Sequence, residues 1–203
     1  MNPLFRAIPL FGPLFGPLAA AALMPGCSPS QNAAPPLQGA AIGGPFTLTG
    51  QTGQKVSDRD FAGRYRIVYF GYTYCPDVCP VDVMRLSAGL KALEARNPAL
   101  GKQVVPIFIS VDPARDTPPR LREFAANFHP RLVALTGSQA EIDAVAKRFA
   151  VSHQAQPPRP DGSYLVDHSR AAYLFDRAGK PLAILPQDGT PEAIADEIER
   201  WAK

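Results

Sequence analysis

Apolar residues in this chain form short unbroken blocks that alternate with blocks spaced three and four apart. Arg66–Gly71 (RIVYFG) and Val104–Val111 (VVPIFISV) are short and rich in β-branched and aromatic residues, as strands buried on both faces should be. Between them Val83, Leu86, Leu90 and Leu93 recur at spacings of 3, 4 and 3, which is one face of a helix. Thr117-Pro118 supplies an N-cap and a first-turn proline for a second helix carrying Leu121, Phe124 and Phe128. Arg131–Thr136 reads as a short strand. Ser138-x-x-Glu141 is a capping box ahead of Ile142, Val145 and Phe149. Ala171–Phe175 and Leu182–Leu185 are two strands joined through Asp176–Pro181, a hairpin whose longer loop holds Gly179. Thr190-Pro191 opens the last helix, with Ile194, Ile198 and Trp201 facing inward. Ahead of all these, Thr52-Gly53 between Phe46–Thr49 and Gln54–Val56 predicts a small hairpin. Pro106 removes a ladder donor from the second strand and predicts a bulge or an unmet ladder position.

The order is a β-hairpin, then βαβα, a short strand, α and ββα. A βαβ half followed by a ββα half, with a cysteine pair just after the first central strand, predicts an α/β fold of the thioredoxin-like kind. The first hairpin would be an N-terminal extension of that fold.

Charge divides the chain more sharply than hydropathy does. Of 203 residues, 21 are Lys or Arg and 18 are Asp or Glu, yet Arg6 is the only charged residue before Lys55. The region 55–203 is nearly neutral, so a nucleic-acid partner recognised by bulk basicity is excluded. Residues 1–27 place one Arg before an uncharged run from Ala7 to Met24 that ends in small residues and Gly26-Cys27. That is the order of a secretory signal. Pro9, Pro13 and Pro17 would each remove a backbone donor, which argues against a permanent membrane helix. Gly26-Cys27 resembles the end of a bacterial lipobox, although Met24 stands where Leu is usual. The segment is therefore expected to be a signal peptide, a lipoprotein signal or another membrane anchor. Residues 28–45 carry no charge and no aromatic side chain, the composition of a flexible linker with a span of roughly 20–25 Å. Residues 46–203 are the expected globular domain.

Three cysteines are too few for a disulfide-stapled scaffold. Cys75-Pro-Asp-Val-Cys79 places two of them at i and i+4 where a strand hands over to a helix. On a regular helix such residues share a face with Cβ atoms about 5–6 Å apart. A relaxed disulfide needs about 3.5–4.5 Å, whereas an ion between two thiolates tolerates a wider gap. The spacing leans toward a metal without excluding a disulfide. A helix N-terminus is also expected to lower thiol pKa values, which favours either chemistry. A third donor must come from His129, His153 or His168. His168 stands just before a predicted core strand, an edge where ligands sit. His129 precedes Pro130 as a helix-boundary residue, and His153 lies in a polar, proline-rich stretch and reads as solvated or as an auxiliary ligand. Two sulfurs and one imidazole suit copper, while structural zinc and iron–sulfur clusters lack a further cysteine. Among neighbouring residues, Asp77 tunes the thiols or simply sits at a helix start. Asp167 orients the His168 loop or is an exposed neighbour, and Asp112 ties the loop before Thr117. Tyr72 and Tyr74 cover the site edge or pack at a strand end.

Three separated stretches resemble the Sco/SenC family in the same order: Gly63–Pro80 around the two cysteines, Ile109–Thr117 (ISVDPARDT) and Tyr164–Ser169 (YLVDHS). The similarity covers essentially all of 46–203. It implies a thioredoxin-like fold in which Cys75, Cys79 and His168 bind one copper, as Cu(I), Cu(II) or both. It also implies a part in assembling cytochrome c oxidase, by delivering copper to the dinuclear site of subunit II or by reducing that site's cysteines. A second periplasmic copper chaperone is a further implied partner. The domain would stand in the periplasm of a bacterial cell envelope, anchored to a membrane through its N-terminus. Two functional readings stay open: a metal-transfer module, and a thiol–disulfide oxidoreductase whose redox pair is Cys75 and Cys79. A thiol peroxidase is weaker, since no peroxidatic motif is evident.

Overall fold

The structure is a computed structural model and describes residues 33–203. The signal or anchor expectation for 1–27 lies outside the described residues.

Among the described residues, nine strands and five helices follow one another in a mixed α/β order. The first hairpin is β1 (Thr47–Gly50) and β2 (Lys55–Ser57), followed by a 3₁₀ turn at Asp58–Phe61. Then come β3 (Tyr65–Gly71), α1 (Val78–Arg96), α2 (Pro98–Gly101) and β4 (Val104–Ser110). The chain continues through α3 (Pro118–Ala125), β5 (Val133–Thr136), α4 (Gln139–Arg148), β6 (His153–Ala155) and β7 (Val166–His168). It closes with β8 (Ala172–Phe175), β9 (Pro181–Leu185) and α5 (Pro191–Trp201).

Seven strands form one sheet in the order β2-β1-β5-β4-β3-β8-β9. The β3–β4 and β4–β5 pairs are parallel, as the α-helical crossovers require, and the outer pairs are antiparallel. The N-terminal hairpin extends the main sheet, because β1 pairs with β5. Both faces of the centre are covered. Ile67, Tyr69 and Phe108 face Val83 and Leu86 of α1, and Phe124 of α3 lies 4.9 Å from Phe108 between ring centroids. On the other face Phe70 meets Phe149, just past α4, at 5.4 Å. The periodic positions Leu86, Leu90 and Leu93 are all buried. The α1–α5 contact depends on Gly89, where a Cβ would come within 2.6 Å of Ile194 side-chain carbons.

The caps behave as their chemistry demands in two helices. Ser138 and Glu141 form both bonds of a capping box, and Thr190 accepts the Ala193 N–H. Pro106 causes no bulge: the β3–β4 register runs unbroken from Tyr65↔Val104 to Gly71↔Ser110. The proline lies outside the ladder with β5, which starts one residue later at Ile107.

Residues 34–45 differ from the linker expectation. The Leu37 N–H donates to the Leu182 carbonyl at 2.9 Å and the Gly43 N–H to the Arg148 carbonyl at 2.8 Å. Leu37 and Ile42 pack against the core. Composition hid this, because two apolar side chains among small residues suffice to dock a strap. No helix among the described residues is long and apolar enough to cross a membrane.

Candidate functional site: a thiol pair and an imidazole at the end of the central strand

The site lies where β3 ends. Gly71 is packed so closely that a Cβ there would touch the Tyr69 and Phe108 rings at 3.0 Å and the Cys79 sulfur at 3.3 Å. Beyond it, Tyr72–Cys75 turns back, with the Cys75 N–H donating to the Tyr72 carbonyl at 3.3 Å. Cys75 precedes α1 and Cys79 is the second residue inside it, so the two do not share one helical face. Asp77 is the N-cap residue, but its side chain makes no capping bond. The Cys75 sulfur takes part of that role, accepting the Cys79 N–H at 3.4 Å. Both thiols are free; Cys75 is partly accessible and Cys79 is fully buried.

Burial decides the acidity of Cys79. It pushes the thiol well above its ordinary value, against a smaller opposing hydrogen bond from the Tyr72 backbone. The expected lowering by the helix N-terminus is overridden for this residue, because desolvating a thiolate costs more than one helix end returns.

His168 ends β7, which pairs with β6 in a two-stranded ribbon outside the main sheet. Its Nδ1 lies 2.9 Å from the Ser169 carbonyl, which can only accept, so the proton sits on Nδ1. Nε2 is then a free acceptor and stands 3.2 Å from the Cys79 sulfur. Burial also lowers the His168 pKa, the Ser169 bond opposing it, which keeps the ring neutral. Tyr69 and Tyr72 meet this imidazole edge-on, with centroids 6.4 and 6.1 Å away. A cleft of about 360 Å³ opens over the group, lined by Tyr72, Cys75, Asp77, Leu165, His168 and Arg170.

The other histidines stay away from the thiols. His153 is paired in register with His168, yet its Nε2 lies 3.2 Å from Asp143 and its side chain is only 12% exposed. It is neither solvated nor turned to the site, because the ribbon folds its segment back onto α4. His129 is buried against Glu94. Asp167 is exposed and accepts from the Gln156 amide. Asp112 ties loops together, accepting from Arg115 Nε at 2.5 Å and from the Tyr164 hydroxyl at 2.8 Å. Tyr74 is 47% exposed and lies between the Arg115 and Arg120 guanidiniums, each 4.9 Å from its ring.

Two supporting groups escaped the sequence reading. Asp116, fully buried, accepts the Thr73 N–H, the Thr73 hydroxyl and the Ser110 hydroxyl at 3.0, 2.6 and 2.6 Å, which pins the turn before Cys75. Asp82, also fully buried, accepts from Tyr69 and Arg170. Its signal was legible: an acid on the face of α1 that also carries Leu86 and Leu90 must find a partner.

An ion held about 2.3 Å from sulfur and about 2.0 Å from nitrogen would part those atoms by roughly 3.5 Å at the tetrahedral angle. Cys79 and His168 stand 3.2 Å apart and would have to open only slightly to admit it, and two sulfurs with one neutral imidazole are donors a soft ion takes. Among the described residues, no three His, Cys, Asp or Glu side chains stand together as a finished metal cage, so Cys75 would have to close on the ion.

A sheet of this topology, with a free thiol pair at the start of the first helix, defines a thioredoxin-like protein, and the added imidazole sets it apart from a simple dithiol site. Residues 34–203 match the SCO1/SenC family model. The chain is 46% identical over 159 residues to protein SenC of Rhodobacter capsulatus, covering 78% of this chain and 70% of that one. It is 41% identical to protein sco1 of Schizosaccharomyces pombe, but spans only 59% of its length. The solved structure of Bradyrhizobium japonicum ScoI with copper bound aligns with a TM-score of 0.72 and 40% identity, covering 79% of this chain and 99% of that one. A structure describing a disulfide switch in BsSco, a member of the Sco family of cytochrome c oxidase assembly proteins, aligns at 0.57 and 30% identity over 77% of this chain and 91% of that one. The chain belongs to the SCO1/SenC family.

Proposed function

We propose that this protein takes up one copper ion through Cys75, Cys79 and His168 and hands it on during assembly of cytochrome c oxidase. The observation that carries the reading is the contact of a neutral, correctly tautomerised imidazole with the inner thiol. The copper-bound relative supports the choice of metal. Copper is cargo here. It would leave by ligand exchange to incoming thiolates through the cleft beside Cys75, and the dinuclear copper site of oxidase subunit II is the proposed recipient. Another periplasmic copper chaperone is the proposed donor. The domain, 34–203 on this reading, would hang from a bacterial membrane by its N-terminal segment and face the periplasm.

Copper titration of the purified full chain, wild type against His168→Ala, tests the site. The wild type is expected to bind one copper, and the variant to lose Cu(II) affinity by about 10–100-fold with a changed visible spectrum. An unchanged Cu(II) affinity and spectrum would remove His168 from the site and overturn the reading.

A second reading, a thiol–disulfide oxidoreductase, is favoured by the accessible Cys75 sulfur beside the Cys79 backbone. Cys75 thiolate would attack a partner disulfide, and Cys79 would resolve the mixed disulfide. The partner becomes a dithiol and Cys75–Cys79 a disulfide, with two electrons passed. The redox titration of the pair, and transfer to a peptide carrying the subunit II copper-site cysteines, tests it. An absence of transfer would eliminate this reading and leave the first standing.

A further inference from the structure

We propose that Asp82 and Arg170 form a positioning pair that sets where His168 stands relative to Cys79. The inference rests on the copper reading for its purpose, but its geometry stands apart from it. The two cysteines belong to one short segment, so local backbone holds them together. His168 is 89 residues further on, at the end of a three-residue strand in a two-stranded ribbon. Such a ribbon is weakly stable by itself. Something must fix its imidazole against a helix to which it has no backbone ladder.

The fork at Asp82 does this. Asp82 lies three residues beyond Cys79 on α1, and Arg170 two residues beyond His168. Arg170 Nε donates to Asp82 Oδ2 at 2.6 Å and its Nη2 to Oδ1 at 2.5 Å. A planar two-point contact fixes orientation as well as distance. The Tyr69 hydroxyl gives a further bond to Oδ2 at 2.9 Å, and the Tyr69 ring lies edge-on to His168. The Arg170 backbone is held as well, its carbonyl accepting the Gln187 side-chain amide at 3.1 Å. Central strand, helix and the loop that leaves the ribbon thus meet at one fully buried carboxylate. Asp82 is buried while the Arg170 side chain is 36% exposed, so the charge attraction adds little net stability, whereas the two-point geometry fixes register.

The test is a double-mutant cycle in the full chain with reduced thiols. Asp82→Asn/Arg170→Gln removes both charges and the two-point contact while keeping polar side chains at both places, alone and combined with His168→Ala. One readout needs no metal: the alkylation rate of Cys79, resolved by peptide mass spectrometry. The other is Cu(II) affinity with its visible spectrum. In the wild-type background the pair's removal is expected to speed alkylation and weaken Cu(II) binding, each by about 10–100-fold. In the His168→Ala background the same change is expected to be under about threefold, because the imidazole it positions is already gone. Equal effects in both backgrounds, or no effect in a cooperatively melting variant, overturn the proposal. Should the neutral pair unfold, Asp82→Leu/Arg170→Met fills the site with apolar atoms and is read the same way. A wild type that binds no copper fails the proposed function, and the alkylation cycle alone then decides the positioning role.

Discussion

At the scale of single residues, the site separates two thiols that the sequence presents as equals. Cys75 is reachable from the cleft, while Cys79 is enclosed by Gly71, Tyr69, Tyr72 and His168. Its thiol is also held protonated by burial. Alkylation at neutral pH should therefore modify Cys75 at least roughly tenfold faster than Cys79, since the thiolate is the nucleophile and must be accessible. Site-resolved mass spectrometry of the reduced chain checks this, and equal rates would contradict the enclosure of Cys79. The motifs around the cysteines and His168 were readable in one dimension, but the difference between inner and outer thiol was not. It arises from which side chains converge from β3 and β7, elements far apart in sequence.

At the scale of elements, His129 shows how a helix and a loop share a titratable group. Its ring is buried, accepts the Arg131 N–H on Nδ1 and meets Glu94 of α1 on Nε2. Burial lowers its pKa below the ordinary 6.5, Glu94 opposing, while Arg131 and Lys91 act in the same direction as burial. The neutral ring also suits the geometry, because protonating Nδ1 would face it with another N–H. The unfolded chain then binds the proton more readily than the folded one. His129's contribution to stability is full above about pH 6.5 and is lost as pH falls through the folded value, where the loss levels off. Urea unfolding at pH 5 and pH 8 should show lower stability at the acid end, with a smaller difference in His129→Gln. An identical difference in the variant would assign the effect to other groups. The capping box gives a second element-scale expectation: Ser138→Ala should cost about 1 kcal/mol in urea unfolding, because the Glu141 N–H in the first turn of α4 loses its hydroxyl acceptor.

For the whole molecule, the strap 34–45 changes where the domain begins. Two backbone hydrogen bonds and the partly buried Leu37 and Ile42 join it to the β8–β9 and α4 ends of the sheet. A chain starting at Phe46 is expected to be about 2 kcal/mol less stable to urea than one starting at Ala34, from those bonds and that buried area. Equal stabilities would return 34–45 to the tether. Mass spectrometry of the mature N-terminus decides how the chain is held. Lipid on Cys27 would establish the lipoprotein form, and a terminus still carrying Met1 would rule it out.

The sequence by itself determined the α/β order, the two central strands, the faces of the helices and the identity of the three candidate donors. Those follow from hydrophobic period, cap chemistry and short motifs, all of them local. Only the tertiary structure decided the rest. It made the first hairpin part of the main sheet, because pairing of Thr49 with Thr136 and Gly50 with Leu135 leaves no local trace. It turned 34–45 from linker to strap and withdrew His153 from the site. It also set the imidazole 3.2 Å from one thiol rather than the other, beside a buried carboxylate on α1 whose partners come from β3 and from the loop after β7.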